Sequence, residues 1–151
     1  MERVDGWAAK LENYLLERHD KAFEWGTTDC CMFVGDSIRI ITGVDVVEYF
    51  RGKYNKILPA FALMKNYSNG GSVQETWERI AGRYEMKQIR TKALLPGDLV
   101  TMKAEACNPV AGRLSNGITV GIQSFTTGIL SQGADSLMLS TKPNIMSAWK
   151  I

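Results

Sequence analysis

A chain of 151 residues is the length of one domain, residues 1–151, and can bury a core without disulfide or metal staples. Its 18 Lys and Arg and 16 Asp and Glu are interspersed, leaving a formal charge of +2 and no basic run, which excludes a nucleic-acid footprint. No apolar stretch approaches the roughly 20 residues of a membrane span, and the acidic start Met1-Glu2-Arg3-Val4-Asp5 lacks the apolar core of a secretory leader.

In chain order, the first predicted element is an amphipathic helix over Asp5–Arg18, with Asp5 as N-cap. Val4, Trp7, Ala8, Leu11 and Leu15 form its apolar stripe, and Lys10, Glu12 and Glu17 its outer side. Gly26 permits a sharp turn, and Thr27-Thr28-Asp29 offers three capping residue types ahead of Cys30. The helix that starts there should run to Ile41 and stop at Thr42-Gly43. Asp45–Phe50 and Ile57–Lys65 read as shorter helices, and Asn69-Gly70-Gly71 breaks the chain. Ser72 precedes Glu75 by three positions, a capping-box pattern opening a helix to about Tyr84 with Val73, Trp77, Ile80 and Tyr84 inward.

Beyond that point the pattern becomes strand-like over Leu99–Met102, Gly117–Gln123, Thr127–Leu130, Leu137–Leu139 and Met146–Ile151. Helices first and strands second predict an α+β fold, with N-terminal helices packed on a C-terminal antiparallel sheet or half-barrel.

Three cysteines, two of them adjacent, make a poor disulfide framework, and a single histidine leaves no metal-ligand spacing, so neither a metal nor a cofactor is implied. Cys30 stands first in line at a helix N-terminus, where unpaired amides and the helix dipole favour a thiolate. Asp29 beside it fits a helix cap. The alternative is that Cys30 and Cys31 are small buried hydrophobes, as most free cysteines are. Trp7, Trp25, Trp77 and Trp149 are core residues or the lining of a groove. Arg51 either contacts a partner or pairs with Asp45 or Glu48. Lys103–Gly112, with Cys107 and Pro109, reads as an exposed loop.

Three features in order, Asp29-Cys30, Leu95-Pro96-Gly97-Asp98-Leu99-Val100 and Val120-Gly121-Ile122, resemble the NlpC-type cell-wall cysteine peptidases of the papain-like superfamily. A set of small phage and prophage proteins of that superfamily is more similar still. They share Phe-x-Trp-Gly-x-x-Asp-Cys (Phe23–Cys30), Thr-Gly-x-Asp (Thr42–Asp45), Arg-Gly-x-Tyr (Arg51–Tyr54) and a Trp near the C-terminus (Trp149). The resemblance implies a papain-like fold with Cys30 in the nucleophile position. It also implies a role at a virion tail tip or in tail assembly, after synthesis in the host cytoplasm. Its partners would be other tail proteins, the hub and distal tail, with peptidoglycan as a further candidate.

The same alignment puts Thr119 where the family carries its general-base histidine, and Gln132 near the third, orienting polar position. A threonine hydroxyl cannot act as a base near neutral pH. Shifting the register brings up Ser115 or Asn116 but no histidine, because none follows His19. His19 lies in the polar helix end Glu17-Arg18-His19-Asp20, where a surface role is expected. The expectation is a catalytically degenerate scaffold; the alternative is an active cysteine endopeptidase that cleaves peptidoglycan peptides during genome entry, borrowing a base from His19 or another chain.

Overall fold

The computed structural model describes residues 1–104 and 117–151. Four helices come first, α1 (Trp7–Arg18), α2 (Cys30–Thr42), α3 (Ile57–Ser68) and α4 (Val73–Arg83). A single 3-10 turn at Thr91–Ala93 leads to β1 (Leu99–Lys103), β2 (Ile118–Gln123), β3 (Ile129–Gln132), β4 (Leu137–Ser140) and β5 (Ile145–Trp149). The class is therefore α+β, helices followed by one antiparallel sheet of order β4-β3-β2-β1-β5. Cys107 and Pro109 of the predicted loop, and the alternative positions Ser115 and Asn116, lie outside the described residues.

Local capping chemistry explains where the helices begin and end. Asp29 caps α2 through its side chain, and Gly43, at φ 77°, closes it by donating its N–H to the Arg39 carbonyl. Ser72 and Glu75 form the reciprocal capping box of α4. Two expectations are corrected. Helix α1 is preceded by Gly6 in the left-handed region with no side-chain cap, so Asp5 is not its N-cap. Residues 45–50 fold as turns rather than a helix, because Asp45 accepts from Val47 N at 3.2 Å and is gripped by Arg51, and Gly52 at φ 69° reverses the chain. Helix α3 also runs further than predicted, to Ser68, where Asn69 adopts φ 67°.

The pleat divides the sheet into two faces. Val120 and Ile122 of β2, Leu99 of β1 and Trp149 of β5 pack with α1, α2 and α4 in the main core around Leu11, Phe33, Ile38, Trp77 and Ile80. Val100, Met102, Ile129 and Ala148 point the other way and form a smaller cluster with Ile89, Leu94 and Ile145.

Asp98 of the Pro-Gly-Asp turn ties the chain ends to this sheet. Its fully buried carboxylate accepts from Arg3 Nη2 at 2.8 Å, Leu95 N at 2.9 Å, Ile151 N at 3.3 Å and Lys150 Nζ at 3.3 Å. Arg3 also donates to the Ile151 carbonyl at 2.8 Å and lies over the Trp7 ring. A buried carboxylate with this many donors has a structural reason to be where it is.

Candidate functional site

Cys30 is the first residue of α2 and is partly exposed. What holds it there is Asp29, only 2% exposed. Asp29 Oδ1 accepts from Met32 N at 2.9 Å, while Oδ2 accepts from Gly26 N at 2.7 Å and from the Tyr54 hydroxyl at 2.6 Å. One carboxylate thus joins the turn before α2, the first turn of α2 and the segment at Tyr54. Burial, reinforced by Cys31 and Asp29 close by, pushes the Tyr54 phenol far above its ordinary range, so it remains a donor to Asp29. Gly26 sits at φ 77°, and a Cβ on it would collide with the Tyr54 carbonyl. Only glycine satisfies both conditions.

Three of the four sequence blocks are therefore parts of one construction, and the fourth, Trp149, lies in the core on β5. Phe23–Cys30 and Arg51–Tyr54 meet at Asp29 and Gly26. Thr42–Asp45 meets Arg51–Tyr54 through Asp45, whose carboxylate takes Arg51 Nε at 2.6 Å and Nη2 at 3.2 Å, so of the two carboxylates expected for it Arg51 takes Asp45 rather than Glu48. Arg51 Nη2 also pairs with Asp36 of α2 at 2.7 Å. Burial works against the Asp45 carboxylate, yet the Arg51 guanidinium wins and holds its pKa below the usual range.

Cys30 and Cys31 open on a narrow cavity of about 40 Å³ between α2, α3, α4 and the turn at Val47–Tyr54. Phe23, Trp25, Phe50, Phe61, Met64 and Trp77 give it an almost wholly apolar wall. By volume it admits no more than a few water-sized groups. Interaction with the Cys30 thiol, together with burial, raises the Cys31 thiol well above the ordinary range. The fully buried Trp77 indole edge faces Cys31 and works weakly in the opposite sense, but its N–H has no partner at hydrogen-bond geometry. A thiolate at Cys31 is accordingly disfavoured in this apolar setting.

The remaining sequence-derived positions lie elsewhere. Thr119 is opposite Met102 in the β1–β2 register and shares its sheet face, away from α2, so Cys30 does not look onto it. Its hydroxyl is buried and without a hydrogen-bond partner among the described residues. The helix-facing positions of β2 are Ile118, Val120 and Ile122. Gln132 is fully buried; its Oε1 accepts from Arg18 Nε at 3.3 Å and its Nε2 donates to the Lys21 carbonyl at 2.8 Å, so it anchors the end of α1. His19 is exposed at the end of α1, with Nδ1 at 2.6 Å from the Leu16 carbonyl, and is not part of the cavity wall. Trp77 and Trp149 are core; Trp7 stacks on Phe125; Trp25 packs edge-on to Phe23 beside the cavity.

Reading the sequence did not single out Phe50, Phe61 or Met64 as wall residues, nor Tyr54 as the partner of Asp29.

Fold and site define an α+β domain whose adjacent free cysteines border an apolar cavity at a capped helix start. The chain belongs to the family described as a domain of unknown function (DUF6950), which matches residues 2–151. Neither a curated protein nor a solved structure matches it. Among the described residues no helix is long and apolar enough to cross a membrane.

Proposed function

We propose that this chain is a non-catalytic component of a phage or prophage tail, built on a papain-like, NlpC-type peptidase scaffold whose hydrolytic chemistry has been lost. The observation that carries the loss of chemistry is the setting of Cys30. The thiol borders a narrow apolar cavity, the β2 positions facing the helices are Ile118, Val120 and Ile122, and the chain's single histidine is an exposed residue at the end of α1. Cysteine peptidases need a base to take the thiol proton and return it to the leaving amine, a contribution of roughly 10²- to 10⁴-fold in rate. The tail assignment rests on the resemblance of the four sequence blocks. Each of these now has a scaffold role, which is what a lineage that kept its fold and dropped its reaction would retain.

The test is a Cys30→Ala allele in the virus or prophage that carries the gene. Particles should contain the protein by mass spectrometry, and tails should assemble and infect at wild-type levels. Loss of infectivity with normal folding would contradict the proposal, as would absence of the protein from both particles and assembly intermediates.

A second reading, an active endopeptidase acting on peptidoglycan peptides, draws support from one feature. Cys30 is partly exposed at a helix start whose cap is intact. Its signature would be rapid alkylation of Cys30 well below the pH at which an ordinary thiol ionises. Ordinary reactivity would remove that support.

A further inference from the structure

A second concavity, much roomier than the cavity at Cys30, lies between α3 and α4. It is open to solvent, measures about 590 Å³ and is lined by Tyr49, Asn66, Tyr67, Arg79, Gly82 and Arg83. None of these residues belongs to the cavity at Cys30. The floor is aromatic: the Tyr49 and Tyr67 rings lie 4.9 Å apart and both touch Phe50 at 5.1 Å. Its wall at Gly82 faces open space, since a Cβ there would meet nothing within 4 Å.

Two cations stand over this floor. Arg79 sits 5.9 Å from the Tyr67 centroid and Lys53 Nζ 4.4 Å from that of Tyr49. Arg79 has no carboxylate partner among the described residues. Glu75, four residues earlier and the natural partner on a helix, is engaged with Ser72 in the capping box. Glu78 accepts instead from Gln74 at 2.6 Å. Arg83 lies 5.7 Å from the Tyr84 ring centroid and pairs with Glu48 at 3.6 Å with both side chains more than half exposed, a pairing of little worth in water. Arg79 and Arg83 are one helical turn apart, their β-carbons separated by about 5–6 Å. Two guanidinium forks at that spacing, one without a carboxylate partner among the described residues and one in a weak exposed pair, match two oxyanions, each held bidentately.

We propose that this concavity binds a ligand carrying two neighbouring oxyanions, carboxylates or phosphates, on Arg79 and Arg83, with its body against Tyr49 and Tyr67. The inference stands apart from the tail assignment and from the state of Cys30.

The test is calorimetric titration of the full chain at low salt with two probes, tripolyphosphate and a tetraglutamate peptide. At least one should bind at a single saturable site, and the one that does identifies the oxyanion. Arg79→Gln with Arg83→Gln should weaken it at least roughly tenfold, as expected when charge-assisted hydrogen bonds are lost. Arg79→Lys with Arg83→Lys, which keeps the charge but not the fork, should fall between. Both arginines are exposed, so circular dichroism and melting should be unchanged, and Arg79→Gln alone serves if the double variant is not. Failure of both probes to saturate, or an affinity unmoved by the Gln variants, overturns the proposal.

Discussion

Replacing Asp29 by alanine removes one carboxylate and strands three donors at once. Met32 N loses its helix cap, which alone is worth about 1 kcal/mol. Gly26 N and the Tyr54 hydroxyl, at 2.7 and 2.6 Å, lose a charged acceptor, and hydrogen bonds of that type contribute about 1.5–3 kcal/mol each. Gly26 is partly exposed and its N–H recovers some hydration, which trims the sum to about 3–5 kcal/mol. Against a total stability of roughly 5–15 kcal/mol this is severe. At this chain length it corresponds to a fall in Tm of roughly 10–15 °C.

Urea unfolding followed by tryptophan fluorescence measures the loss directly, and Asp29→Asn, which keeps one acceptor oxygen, should show a smaller one. Tyr54→Phe supplies the partner arm of a double-mutant cycle, with an expected coupling of about 1–2 kcal/mol. A loss below about 1 kcal/mol in Asp29→Ala, or strict additivity with Tyr54→Phe, would refute the view that Asp29 is the keystone of the Cys30 turn.

Other consequences are equally specific. Gly26→Ala imposes both a disfavoured φ and a clash with the Tyr54 carbonyl, so it should cost at least about 2 kcal/mol in the same urea assay. Arg51→Met should destabilise the protein near neutral pH, where Asp45 is ionised and paired. Because the folded pKa of Asp45 is depressed, its pairing contributes fully above the unfolded carboxylate value of about 3.9 and is lost as pH falls through the folded one. The gap between wild type and Arg51→Met should therefore hold constant from pH 7 to 5 and narrow below about 4. His19→Ala should change stability by no more than about 0.5 kcal/mol, as for other exposed positions, and leave the alkylation rate of Cys30 unchanged.

What could be read from the sequence followed the range of the interaction involved. The starts of α2 and α4 were legible because a cap and its amide lie within three residues, as in Asp29 with Met32 and Ser72 with Glu75. At α1 the same logic picked the wrong residue, since Gly6 takes the left-handed conformation and leaves Asp5 outside the helix. The segment Asp45–Phe50 has helical spacing, but its fate was decided by the Arg51 pairings and by the close approach of Val47 to Gly35 of α2.

At the site, Cys30 and its cap were visible, whereas the Tyr54–Asp29 bond spans 25 residues and left no local trace. The face taken by Thr119 follows from strand register, which a glycine-interrupted apolar strand does not declare. Gln132, aligned on an orienting position, turned out to be held by Arg18 and the Lys21 carbonyl, contacts more than 100 residues away in sequence.

The most direct test of the central claim is digestion. Purified wild-type protein is incubated with cell-wall peptidoglycan, and new amino termini are counted by mass spectrometry beside Cys30→Ala. The account predicts that the two are indistinguishable from each other and from buffer. Peptide cleavage by the wild type that disappears in Cys30→Ala would contradict it and return Cys30 to the role of nucleophile.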